Sequence, residues 1–238
     1  MSLTQDESPE IGRFARTLKH LSRLSVRRTN DAYEDVPWDD HEVDPTDPRL
    51  ALAPDDPIAI SEWYRNLSPE AQARVGLVRI TSSLKTAWHF ENILQQGLLH
   101  RALYLPEGTD EFRYIHHEVI EESQHTLMFE ELIRRSGSTP RGMHFLLRHL
   151  AAWLMRLLSR HSPVVFFSMV LAGEEPLDLL QRRTLAVDGL HPLVRRIMEI
   201  HVAEEARHIS YARAAIRDET ARLSPLRRKT VAFFTPVA

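Results

Sequence analysis

Apolar positions along the chain recur every three or four residues through long stretches, and the apolar–polar alternation that marks a strand is hard to find. That period belongs to amphipathic helices, and with only eight glycines in 238 residues the helices should be long. Proline punctuates the pattern. Ser68-Pro69, Thr139-Pro140, Ser162-Pro163, His191-Pro192 and Ser224-Pro225 each stand just before an apolar-periodic run. Proline suits the first helical position because the amide it lacks would be unpaired there, and a preceding Ser or Thr can cap the free amides. These signals predict helices over about 69–104, 110–135 (opened by Thr109), 140–160, 163–187 and 192–218, with another starting at Pro225. A short helix is expected near Pro9. Asp31 to Pro57, rich in Asp and Pro, reads as an extended arm, and Tyr33 and Trp38 favour packing on the bundle over a disordered leader. The expected architecture is all-α: a four-helix bundle with an extra crossing helix at 140–160. Residues 1–60 form the arm and 61–238 a single bundle domain.

Composition narrows the chemistry. A hydrophobic content of 43% is ordinary for one packed domain, and a formal charge of −3 offers no global attraction for nucleic acid. The basic stretches Lys19–Arg28 and Arg222–Lys229 read as solvated helix faces. With no cysteine, disulfides, thiolate metal sites and cysteine nucleophiles are excluded, so any metal must be held by nitrogen and oxygen. This fits a reducing cytoplasm, the expected location. Met1–Glu10 is polar and acidic, unlike a signal peptide. Leu150–Ala172 is interrupted by Arg156, Arg160 and His161, which predicts two buried helices rather than a membrane span. Arg227–Ala238 turns apolar and stops at Phe233-Phe234-Thr235-Pro236, as though packing partners or a longer natural chain continued it.

Two Glu-x-x-His sequences occur, Glu122–His125 and Glu205–His208. Their surroundings align: Glu118-Val119 to Glu121-Glu122 and His125 match His201-Val202 to Glu204-Glu205 and His208. Residues three apart share a helix face, so each motif can present a carboxylate and an imidazole to the same metal. Two such helices, plus one inward glutamate from each of two others, make the recurring di-iron or di-manganese plan of ferritin-like bundles. Glu91 and Glu174 fill the remaining places. Glu91 stands 13 residues before 104 and Glu122 12 residues after 110, while Glu174 stands 13 before 187 and Glu205 13 after 192. In antiparallel hairpins all four lie about 18–20 Å from their turns. Glu91 follows Trp88-His89-Phe90 and Glu174 follows Met169–Gly173, apolar stretches where a lone buried carboxylate would be costly without a cation. Four carboxylates balance two divalent ions, and His201, one turn before Glu205, can add a neutral third imidazole. The competing reading is a surface salt-bridge pattern, since one Glu-x-x-His alone is weak.

Other residues receive blander readings. Glu121 and Glu204, four residues from the histidines, are expected behind the ligands or on the surface. Glu118 stands where the second motif has His201, as a supporting group or an eighth ligand. His20, His41, His89, His100, His116, His117, His144, His149, His161 and His191 read as solvent or capping histidines, and Tyr211 as a core tyrosine.

With Glu91, Glu122-Ser123-Gln124-His125, Glu174 and His201-x-x-x-Glu205-x-x-His208 in place, the chain resembles the AurF-type di-iron oxygenases, whose known members include p-aminobenzoate N-oxygenase. The third histidine, one turn before the last Glu-x-x-His, separates this family from ferritins. The resemblance covers roughly residues 30 to 220, the arm included. It implies a ferritin-like fold, two iron ions, dioxygen as co-substrate, an external electron donor and a small organic substrate such as an aromatic amine. Manganese or a mixed pair suits the same ligands. Neither nucleic acid nor a membrane is an expected partner, and a homodimer is kept open. For a carboxylated arylamine no anchor is evident: Arg79 and Lys85 each stand about 120° around the helix from Glu91. Another di-iron hydroxylase and a non-catalytic iron-binding bundle are the alternatives.

Overall fold

The computed structural model describes residues 9–234, so expectations for residues 1–8 and 235–238 lie outside the described part. Within it the chain forms eight α-helices and no strand: α1 (Pro9–Arg27), α2 (Glu62–Arg65), α3 (Pro69–Ala102), α4 (Asp110–Arg135), α5 (Phe145–His161), α6 (Pro163–Leu185), α7 (Pro192–Arg222) and α8 (Pro225–Phe234). Four of the five prolines open helices as predicted. Ser68 Oγ accepts from the Ala71 amide and Thr109 Oγ1 from Phe112, both at 3.3 Å, closing the starts of α3 and α4. Ser162 and His191 make no such side-chain bond.

Thr139-Pro140 does not start a helix: α5 begins five residues later than expected. The intervening segment docks on α3 instead. Gly142 takes φ 64°, and a Cβ there would meet His89 Cε1 at 2.6 Å, while the Met143 amide donates to His89 Nδ1 at 3.0 Å. The predicted ends also shift, with α3 stopping at 102, α6 at 185 and α7 running on to 222. At 19 residues, α1 is far from short. It lies across α4 and α7, burying Leu18 and Leu21 and stacking Phe14 on Tyr211.

The bundle is built from two hairpins, α3 with α4 and α6 with α7, brought together by α4 against α7 and by α5, which crosses from α4 to α6 and packs on α3. The predicted span Leu150–Ala172 divides at Ser162, and no described helix is long and apolar enough to cross a membrane. The expectation that both halves are buried fails for α5. Its outer face leaves Leu146, Leu150 and Trp153 exposed, because sequence period marks a stripe without saying whether anything covers it.

Two apolar clusters occupy the bundle, one holding Leu84, Phe129, Ile197 and the arm, the other Leu94, Ile115, Phe166 and Tyr211. On α3, α4 and α7 the chain passes from one cluster to the other, and the predicted ligands fall in the gap. The arm packs rather than trails. Ala32, Val36, Trp38 and Leu50 are buried, Trp38 Nε1 donates to Ala32 O at 2.7 Å, and Arg196 Nε donates to Asp35 O at 2.8 Å. Its tightest seat is Gly76, where a Cβ would stand 1.9 Å from Leu50 O.

Gly76→Ala therefore separates a seated arm from a loose one. Were the arm loose, the substitution would stabilise α3 by about 1 kcal/mol through helix propensity. With the arm seated, the forced shift should instead destabilise the protein by about 1–3 kcal/mol. Denaturant unfolding reads the sign directly.

Candidate metal centre

On α4 the stripe Glu118, Glu121, Glu122 and His125 faces inward. On α7 the stripe is His201, Glu204, Glu205 and His208; α3 adds Glu91 and α6 adds Glu174, and all ten side chains are buried. Three- and four-residue steps put each set on one helix face, and the packing of α3 on α4, α6 on α7 and α4 on α7 brings the faces together.

Two groups form, each able to place one donor atom from every member within 4.8 Å of the others: Glu91, His125 and His201, and Glu122, Glu205 and His208. Motif partners are thus not always in one group. Glu205 and His208 stay together, whereas His125 is grouped across the bundle with Glu91 and His201. Glu122 and Glu205, members of the second group, also reach towards the first, their carboxylate oxygens lying 3.5 and 3.6 Å from His125 Nδ1. The division follows from geometry: a three-residue step fixes the face but also separates the side chains by about 4.5 Å along the axis, enough to reach neighbouring positions. Glu174 belongs to neither group; burial and the neighbouring Glu205 and Glu122 push its carboxyl well up.

Each imidazole of the two motifs is backed from the opposite helix. His125 Nε2 stands 2.8 Å from Glu204 Oε2, and His208 Nε2 stands 2.8 Å from Glu121 Oε2. An Nε2–H donated to a carboxylate leaves Nδ1 as the free lone pair turned towards the cluster. Of the two expectations for Glu121 and Glu204, the position behind the ligands is the one observed. Arg207 Nη2 ties them together, 2.7 Å from Glu121 Oε1 and 3.4 Å from Glu204 Oε1, and Asn30 Nδ2 from the arm donates to Glu204 Oε1 at 2.7 Å. Neither Arg207 nor Asn30 was singled out from sequence. Arg207, one turn after Glu204, carried a weak local signal, and Asn30 none.

The electrostatics of the cluster are those of acids with too little counter-charge. Burial, reinforced by Glu122, pushes Glu91 well up, and burial does the same to Glu118. Burial also opposes charge on Glu122 and Glu205, but the adjacent imidazoles, His208 foremost with His125 at Glu122 and His201 at Glu205, together hold both below the usual range. His125 and His208 rise well above theirs because the surrounding carboxylates overcome burial, whereas burial and the neighbouring His125 lower His201 to about 4. Glu122 Oε1 and Oε2, His125 Nδ1, Glu174 Oε1 and Glu205 Oε2 are buried without a hydrogen-bond partner, and His201 turns Nε2 towards the same place, 3.2 Å from Glu91 Oε1. Such orphans are rare in folded proteins and here converge on one place. Nitrogen and oxygen donors of this kind fit two divalent ions.

Several blander readings need correction. His89 is buried and accepts from the Met143 amide, and His191 is buried with Nε2 3.2 Å from Glu42 O. Both pin loops rather than face solvent. Tyr211 is a core residue, as expected, its hydroxyl donating to Glu111 Oε1 at 2.9 Å. Glu118 is buried beside the cluster with Oε2 unpartnered, outside both groups.

No solved structure matches the chain. It is 40% identical over 227 residues to Uncharacterized protein Rv0885 of Mycobacterium tuberculosis (strain ATCC 25618 / H37Rv) and to Uncharacterized protein Mb0909 of Mycobacterium bovis. The alignments cover 94% of this chain and 66% of each relative, so the chain spans just under two thirds of their length. The model of the family described as p-aminobenzoate N-oxygenase AurF matches residues 13–238. The all-α bundle and nearly the whole of its sequence place the chain in the AurF family, a family of di-iron oxygenases.

Proposed function

We propose that the chain is a non-haem di-iron oxygenase that oxidises a small organic molecule, with aromatic amines the first class to test. Glu91, Glu122, His125, Glu174, His201, Glu205 and His208 would be the ligands in this reading. The observation that carries it is the convergence of unpartnered donor atoms of four of these residues, Glu122, His125, Glu174 and Glu205, in the buried interior. Two iron ions held there would supply the reduction of dioxygen and the transfer of an oxygen atom to the substrate. Electrons come from an external donor. The same donors accept manganese or a mixed pair, so metal analysis of protein purified without added metal comes first.

The protein's own residues have definite tasks in this scheme. Glu204 and Glu121 fix the tautomer and orientation of His125 and His208, and Arg207 reaches both carboxylates; against burial, His208 and then Arg207 hold Glu121 down to about 2. Phe129, whose ring centroid lies 5.2 Å from that of His201, joins the apolar wall that keeps water from one side of the cluster. A non-catalytic iron-binding bundle accounts less well for this support on both motif histidines. Another hydroxylase differs only in product, which a panel of amines and hydrocarbons resolves.

His201→Ala should lower occupancy of one metal position and abolish or divert oxygen consumption while circular dichroism stays helical. His89→Ala should lose stability, because the Met143 amide loses its acceptor, yet keep both metals. Two fully occupied positions with unchanged oxygen chemistry in His201→Ala would remove His201 from the ligand set.

Glu204→Gln and Glu121→Gln should each weaken metal binding about 10- to 100-fold, read by competition with a chelator. Unaltered affinity in both would reduce these carboxylates to packing.

Between about pH 5 and about pH 8 the metal-free protein should lose stability as pH rises, the depressed His201, which works the other way up to its unfolded value, being outnumbered by raised groups. Glu91 and Glu174 are raised by burial and neighbouring carboxyls, and His125 and His208 by carboxylates that overcome burial. A group raised in the folded state contributes stability that is complete below its unfolded value and fades as pH climbs towards the folded one. Metal ions replace those protons, so the Tm gap between metal-loaded and metal-free protein should widen from about pH 5 to about pH 8. A gap that narrows over that range would contradict the assignment.

A further inference from the structure

A cavity of about 330 Å³ lies between the arm, α3, the end of α6 and the start of α7. Three of its wall residues stand one turn from three of the proposed ligands, each in the same direction along the bundle. Ala87 precedes Glu91 by four residues, Leu177 follows Glu174 by three, and Met198 precedes His201 by three. Steps of three and four keep a helix face, so the cavity continues the stripes that carry Glu91, Glu174 and His201 and begins one helical turn beyond them.

The chemistry of the wall is specific. Most of it is apolar, and the cations at its edge are spoken for: Arg49 Nη2 lies 2.6 Å from Asp47 Oδ2 and Arg79 Nε lies 3.5 Å from Asp56 Oδ2, both arginines half exposed. No unpaired cation among the lining residues faces the interior. Among the neutral polar residues of the wall, Ser83, Gln181 and Thr184, Gln181 is the buried one, and its Oε1 has no hydrogen-bond partner. Gln181 follows Glu174 by seven residues, placing it about 10.5 Å further along the same face of α6. An amide can donate or accept, and leaving it unpaired in an apolar wall is costly.

We propose that this cavity is the substrate chamber of the metal centre, and that it selects an uncharged, mainly apolar molecule with one neutral hydrogen-bonding group two helical turns from its reacting atom, bound by Gln181. The inference deepens the di-iron reading and rests on it. A carboxylated substrate is disfavoured, because its charge would enter an apolar space with no free counter-ion. The arm is the roof of this chamber, since Leu50 and Leu52 line it opposite the helices.

The test uses zinc-loaded protein, which binds without turnover, and three probes followed by calorimetry: para-butylaniline, para-(hydroxybutyl)aniline and para-aminobenzoate. The two neutral probes should bind at least about ten-fold more tightly than the anion. Gln181→Leu should weaken para-(hydroxybutyl)aniline about five-fold and leave para-butylaniline unchanged. Ala87→Phe and Leu177→Trp, which fill the chamber from two helices, should each abolish binding of both neutral probes. Equal or tighter binding of para-aminobenzoate, no binding of any probe, or indifference to both filling variants would overturn the proposal. The wild-type comparison and Gln181→Leu keep it falsifiable should a filling variant not fold. Zinc content is measured on the same samples: selective binding without zinc uptake would support the cavity's selectivity and sink the di-metal reading, whereas zinc uptake with no probe binding would sink the chamber alone.

Discussion

Five glutamate carboxyls, Glu91, Glu118, Glu122, Glu174 and Glu205, meet three imidazoles in a part of the bundle that water does not reach. A buried carboxylate without a partner is among the least favourable things a fold can contain, and several together repel one another besides. Positive charge relieves the arrangement, whether as protons held by the raised acids and imidazoles or as a bound cation. Much else follows from that requirement: helices long enough to carry the acids to mid-depth, apolar clusters on either side that exclude water, and a second layer of groups that holds the imidazoles in place. The site is destabilising on its own terms, and the surrounding packing tolerates it.

The second layer is where the two halves of the molecule become one object. Each motif histidine leans on a glutamate of the other helix, and Arg207 spans both glutamates. The link is reciprocal, so neither α4 nor α7 can move along the other without disturbing both imidazoles. Asn30 extends the same network into the arm, which also covers the cavity further along. A segment that reads as a connector in sequence thus touches both the glutamate behind His125 and the wall of the cavity.

How much of this was legible follows from the range of each signal. Prolines 69, 163, 192 and 225 announced helices because their ring geometry acts locally, whereas Pro140 misled because Gly142, two residues on, turns the chain to dock on His89. The four glutamates could be levelled from sequence because short turns carry depth faithfully from one helix to the next. Their grouping could not, since a three-residue step fixes a face and leaves open which neighbouring position a side chain reaches. Asn30 and Arg207 find their partners 174 and 86 residues away, a distance at which no periodicity speaks. The length of α1 was underestimated because its many basic positions obscure a stripe that only α4 and α7 reveal as buried.

The common depth of the acids also bears on which changes of length the chain can accept. Apolar ridges slide past one another with modest loss, since one leucine resembles the next, but a single residue inserted between Pro192 and His201 would turn every later side chain of α7 by about 100°. His201, Glu205 and His208 would then leave the interior together. Insertions in the turns, by contrast, leave the helices in their alignment. The buried acids therefore act as a key to one alignment among several that hydrophobic packing alone would allow, and variation in length is confined to the loops.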